Sequence, residues 1–182
     1  EGAPVTPGFT AVRQPADIVS IGLLLEDGQA AWGDCATVQY AGAGGRAPLA
    51  TRAELRGIIH RNLKPLLLHH DPAHFRDSCR LIAQAGLPRA LEYGLSQALL
   101  GAAAACAKMT ATEVLCGEFG QPLPQVPLPL FAQSGDDRYT SVDKMILKQA
   151  GILPHGLINT REKFGRRGEA FREYALWVAA RI

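Results

Sequence analysis

Val126-Pro127-Leu128-Pro129-Leu130-Phe131-Ala132-Gln133-Ser134-Gly135-Asp136-Asp137-Arg138 is the stretch on which the fold turns. Val126 to Ala132 reads as a buried strand, and the polar run behind it as a loop leading into a helix over Ser141 to Ala150. Gly156 to Asn159 reads as a second, short strand. Arg161 onward reads as a helix whose apolar stripe (Ala175, Leu176, Val178, Ala179, Ile182) is still running at the last residue. Strand, helix, strand, helix is the rhythm of a parallel βα architecture. A (β/α)8 barrel needs roughly 200 residues or more. These are therefore expected to be the first two of its eight units, in a chain cut in mid-fold.

Upstream of this stretch stand Pro122, Pro124, Pro127 and Pro129, the best domain boundary in the sequence. It divides the chain into residues 1–122 and 123–182. The first part has a different grammar. Ile18 to Leu25 is apolar and branched, Asp27-Gly28 is a hairpin-turn signal, and Ala30 to Thr37 is the return strand. Tyr40 to Arg46 is glycine-dense and reads as a loop. Helices follow. Thr51 with Glu54 three residues on forms a capping box for a helix ended by Pro65. Asp71-Pro72 opens another that Gly86 stops. Pro88 starts a long alanine-rich helix to Ala107, and Thr110 with Glu113 caps a fourth. A hairpin followed by a helical group is an α+β arrangement.

Bulk composition excludes some functions. Nineteen basic against 17 acidic residues give a formal charge of +2, which is no electrostatic footprint for nucleic acid. Lys163, Arg166 and Arg167 read as the wet face of a helix. No apolar run reaches membrane-spanning length, and no signal peptide is visible. Cys35, Cys79, Cys106 and Cys116 match no zinc spacing. Free, mostly buried thiols and a cytoplasmic location are expected.

Few residues carry chemistry on spacing alone. Gln133 follows the first βα strand, where a barrel places functional groups, although on spacing alone a polar loop capping the next helix fits better. Asp136 and Asp137 are adjacent, so their carboxylates diverge, and turn residues describe them better than a cation site does. His155, at a strand edge, reads as structural or surface until something else places it. His60, His69, His70 and His74 read as solvated. The glycine-rich loop after Gln39 could form an anion nest or simply a tight turn. It matches neither GxGxxG nor the P-loop.

Two long strings go further. Gly33-Asp34-Cys35-Ala36-Thr37-Val38-Gln39-Tyr40-Ala41-Gly42-Ala43-Gly44-Gly45-Arg46 resembles the cap-domain signature of the methylaspartate ammonia-lyases, a family of the enolase superfamily. Phe131 to Tyr139, Val142 to Ile146 and Leu153-Pro154-His155 resemble the same family's first two barrel units, and Gly8-Phe9-Thr10 with Val12-Arg13-Gln14 fits as well. The resemblance covers nearly the whole chain and is loosest between residues 50 and 120.

The resemblance implies an α+β capping domain over a (β/α)8 TIM-type barrel. It implies elimination of ammonia from threo-3-methylaspartate to give mesaconate in glutamate degradation, with Mg²⁺, in a homodimer. It implies that Gln39 reaches the substrate from the cap loop and that Gln133 binds the substrate's amino or carboxylate end. His155 would lie near the carboxylate where charge develops, as an alternative base for the other epimer. Such chemistry needs an enolate stabilised by a cation and fixed donors. The family's magnesium carboxylates, its lysine base and its late Thr-Cys substrate contacts find no match here. The Mg²⁺ ligands are expected beyond residue 182, the first cap strand is expected to precede this chain, and the chain alone is expected to be inactive. Two other readings remain open. One is a superfamily relative acting on another carboxylate. The other is a non-catalytic cap or a subunit of a split enzyme, against which the unpaired strand edges of an open barrel speak.

Overall fold

The computed structural model describes residues 3–37, 41, 47–132, 137–151 and 160–182. The chain forms two compact units, Glu1–Leu123 and Pro124–Ile182.

The first unit is built on an antiparallel hairpin. Strand β1 (Ile18–Leu24) pairs with β2 (Ala30–Ala36), Ile21 opposite Gly33. Gly28 takes φ +85° in the turn, and Asp27 accepts from the Gln29 N–H at 3.0 Å. Alternation sorts the side chains. Ile21, Ala31 and Cys35 face inward and are buried, while Ser20 donates to Asp34 across the outer face at 2.6 Å. Trp32 stays exposed on that face and lies over Gly22.

Helix α4 (Arg89–Ala107) fills the inner face of the hairpin. Its buried residues, Leu91, Gly94, Leu95, Ala98, Leu99, Ala102 and Ala103, recur at three- and four-residue steps. With Ile21, Cys35, Leu55, Leu63, Ile82 and Leu87 they make the unit's core. Helix α5 (Ala111–Phe119) starts with the expected capping box, Thr110 with Glu113, and ends at Gly120 in the left-handed conformation.

Pro65 does not end its helix. Helix α1 (Arg52–Ile58), capped by Thr51 and Glu54, runs through a π-helical turn (Ile59–Leu63) into α2 (Lys64–Leu67). The Lys64 N–H bonds to the Ile59 carbonyl, one residue further back than in an α-helix. The widened turn gives the proline ring room that a regular helix denies it. Asp71-Pro72 does not open the next helix either. Asp71 accepts from the Ala73 N–H at 2.9 Å, which makes a turn, and α3 spans only Phe75–Gln84. Its free N–H groups at Phe75 and Arg76 donate to the Glu118 carboxylate of α5, at 2.6 and 2.7 Å.

The second unit holds α6 (Arg138–Leu147), α7 (Arg161–Phe164) and α8 (Glu169–Arg181). The helix expected from Ser141 begins three residues earlier, at Arg138. The helix expected from Arg161 onward is broken. Gly165 and Gly168 both take positive φ, and Glu169 accepts from the Arg166 and Arg167 N–H groups, so these two arginines sit in a turn rather than on a helix face. Val142 and Tyr174 are buried between α6 and α8, where Tyr139 meets Tyr174 and Trp177 edge-on.

Val126–Ala132 departs most from expectation. The segment is extended but forms only a single bridge, at Phe131, and its apolar side chains are open: Val126 is 72% exposed, Leu128 77% and Leu130 75%. A parallel strand is buried only when neighbours cover both its faces, and no described residue pairs with this one as a strand. Gly156–Asn159, the second expected strand, lies outside the described residues.

Candidate functional site

Gln39, Gln133 and His155 all lie outside the described residues, so their supports carry the geometry. Strand β2 delivers the chain to Thr37, whose hydroxyl donates to the Asp17 carbonyl at 3.4 Å. Ala41, two residues after Gln39, is fully buried. Its N–H donates to the Val12 carbonyl at 2.7 Å, and its own carbonyl accepts from the Val5 N–H at 2.9 Å. Leu49, on the far side of the glycine-rich run, donates from its N–H to the Pro7 carbonyl at 3.3 Å. The cap loop is thus tied to the N-terminal segment on both sides of its glycines.

In the second unit Gln133 follows Ala132 and precedes α6. Asp137 flanks that helix without a side-chain cap, and its carbonyl accepts from the Ser141 N–H at 3.1 Å. Asp136 is outside the described residues. An apolar crevice of about 770 Å³ separates residues 127–132 from α6, with Lys144, Met145 and Lys148 on the helical wall. His155 lies between Gly151 and Thr160. Gly151 packs against Pro129, and Thr160 caps α7 by accepting from the Lys163 N–H at 3.3 Å. The His155 loop is therefore held where the described backbone enters and leaves it, and the Gln133 loop where it leaves into α6.

The remaining candidates resolve into structural roles. His60, His69 and His74 are exposed, as expected. His70 is not simply solvated. Its Nε2 stands 2.9 Å from Ser78 Oγ, a fully buried hydroxyl that donates to the His74 carbonyl. Only Cys35 of the four cysteines is buried; Cys79 and Cys116 are half-buried and Cys106 is exposed. Burial, with a smaller push from the Asp34 charge, raises the Cys35 thiol to about 11, which keeps it protonated and unreactive at neutral pH. Burial and then the Glu118 charge push Cys79 upward too. Among the described residues no three His, Cys, Asp or Glu side chains converge as a metal would require. The N-terminal ties to Ala41 and Leu49 are what sequence reasoning missed. They are backbone bonds and leave no mark on residue type.

Two family models match end to end. "Methylaspartate ammonia-lyase N-terminus" matches residues 1–120 and "Methylaspartate ammonia-lyase C-terminus" residues 122–182. The chain is 50% identical to the methylaspartate ammonia-lyase of Citrobacter amalonaticus and 44% identical to that of Clostridium tetanomorphum. Each match takes in 100% of this chain and 45% of the relative, so the chain spans a little under half the length of these curated relatives. Among solved structures, the Citrobacter amalonaticus enzyme containing (2S,3S)-3-methylaspartic acid superposes with a TM-score of 0.89 at 48% identity, over 100% of this chain and 46% of that one. The Mg complex of β-methylaspartase from Clostridium tetanomorphum gives 0.87 at 43% identity, over 100% of this chain and 45% of that one.

Proposed function

This chain belongs to the methylaspartate ammonia-lyase family, and on that premise we propose that the protein containing it eliminates ammonia from threo-3-methylaspartate to give mesaconate. The observation that carries the reading is the unbroken match of both family models along the chain, at 44–50% identity to two such lyases. The change of model between residues 120 and 122 supports a functional division near the proline run. On this reading residues 1–122 are an α+β cap and residues 123–182 the opening βα units of a (β/α)8 barrel. The protein works as a cytoplasmic homodimer in glutamate degradation.

In the elimination a base takes the proton next to a carboxylate, the C–N bond breaks with its electron pair leaving on nitrogen, and a C=C bond forms. Gln39 and Gln133 bind and orient the doubly charged substrate as neutral amides, which hold carboxylate and amino groups without adding charge. His155 stands by the carboxylate as hydrogen-bond partner and as base for one epimer. A glycine-rich cap loop suits closure over the substrate and exclusion of water. The Clostridium tetanomorphum relative was solved as a Mg complex, and Mg²⁺ is the proposed cofactor here. The described residues do not fit a Mg²⁺ site, since no three potential ligands converge. Its ligands are assigned to residues beyond 182, and no step is routed through it.

The test is turnover by the intact protein. Incubation with 3-methylaspartate and Mg²⁺ is expected to release mesaconate and ammonia in equal amounts, followed by ultraviolet absorbance and an ammonia assay. Turnover of another amino or hydroxy acid, with none of 3-methylaspartate, would overturn the substrate assignment. Residues 1–182 alone are expected to be inactive, and mesaconate formed by that chain would refute this.

A further inference from the structure

We draw no further inference here: the strongest candidate, the apolar groove between the edge of β1 that faces away from β2 and the helical stretch over residues 59–68, lined by Leu23, Leu63 and Leu67 among others, carries nothing because nothing in the structure shows what covers it.

Discussion

Gly33 and Gly94 meet backbone to backbone, and this contact sets how closely α4 lies on the hairpin. A methyl group on Gly33 would fall 1.8 Å from the Gly94 carbonyl oxygen, and one on Gly94 would fall 2.6 Å from Cys35 Sγ and 2.7 Å from the Asp34 backbone. No side chain can give way at Gly33, because the obstacle is main chain. Gly33→Ala must therefore push β2 and α4 apart, and it opens the packing of Ile21, Leu91 and Leu95 around them.

Gly94→Ala sets two effects against each other. Alanine gains about 1 kcal/mol of helix propensity over glycine. Overpacking a close-packed core costs about 1–3 kcal/mol, and more where backbone must move. The clash wins, so both substitutions are expected to lower the denaturation midpoint of the intact protein, Gly33→Ala more steeply. A midpoint raised by Gly94→Ala would show that the helix packs less tightly on β2 than these distances state.

Glu118 supplies from α5 the cap that α3 lacks locally. Its two carboxylate oxygens accept from Phe75 and Arg76, and its backbone carbonyl accepts from the Arg76 guanidinium at 2.9 Å. Side-chain caps contribute about 1 kcal/mol, and a carboxylate also meets the positive end of the helix dipole. Glu118→Ala is expected to cost about 1–2 kcal/mol and to speed amide exchange at Phe75 and Arg76. Glu118→Gln keeps an acceptor and should fall between the two. Unchanged exchange at those amides in Glu118→Ala would refute the cap.

These two contacts mark the limit of what the sequence could disclose. Thr51 with Glu54, Thr110 with Glu113, Asp27-Gly28 and Pro88 were legible because each signal and its partner lie within a few residues. The start of α3 was misplaced because its cap comes from 43 residues away, while the local Asp71-Pro72 signal forms a turn. Pro65 misled because a π turn absorbs it, and no residue type announces that turn. Val126–Ala132 has the composition of a buried strand, but burial is a property of neighbours, and the described part of its unit supplies too few. Gln39, Gln133 and His155 were singled out as site residues only through long family strings. Their positions lie outside the described residues, and only the residues flanking them are seen.

The two capping boxes make a pH prediction. Glu54 and Glu113 are both held below their ordinary value of 4.5, first because the backbone N–H of Thr51 or Thr110 donates to the carboxylate, and then because the same threonine's hydroxyl does. A depressed value in the folded state means that the cap's stabilisation is fully present above pH 4.5. It is lost as pH falls through the lowered value, because protonation removes the charge that the two donors favour. Replacing Glu113 with Gln removes the titrating group and keeps an acceptor. The gap between the thermal midpoints of wild type and Glu113→Gln should then be constant from neutral pH down to about 4.5 and shrink below it. Taking the difference cancels the carboxylates common to both proteins, including Glu162 and Glu169, which are depressed as well. Both caps are solvent-exposed, so salt should also narrow the gap. A gap that stays constant into strong acid would mean that the Glu113 charge adds nothing to the cap, leaving Thr110 to start α5 on its own.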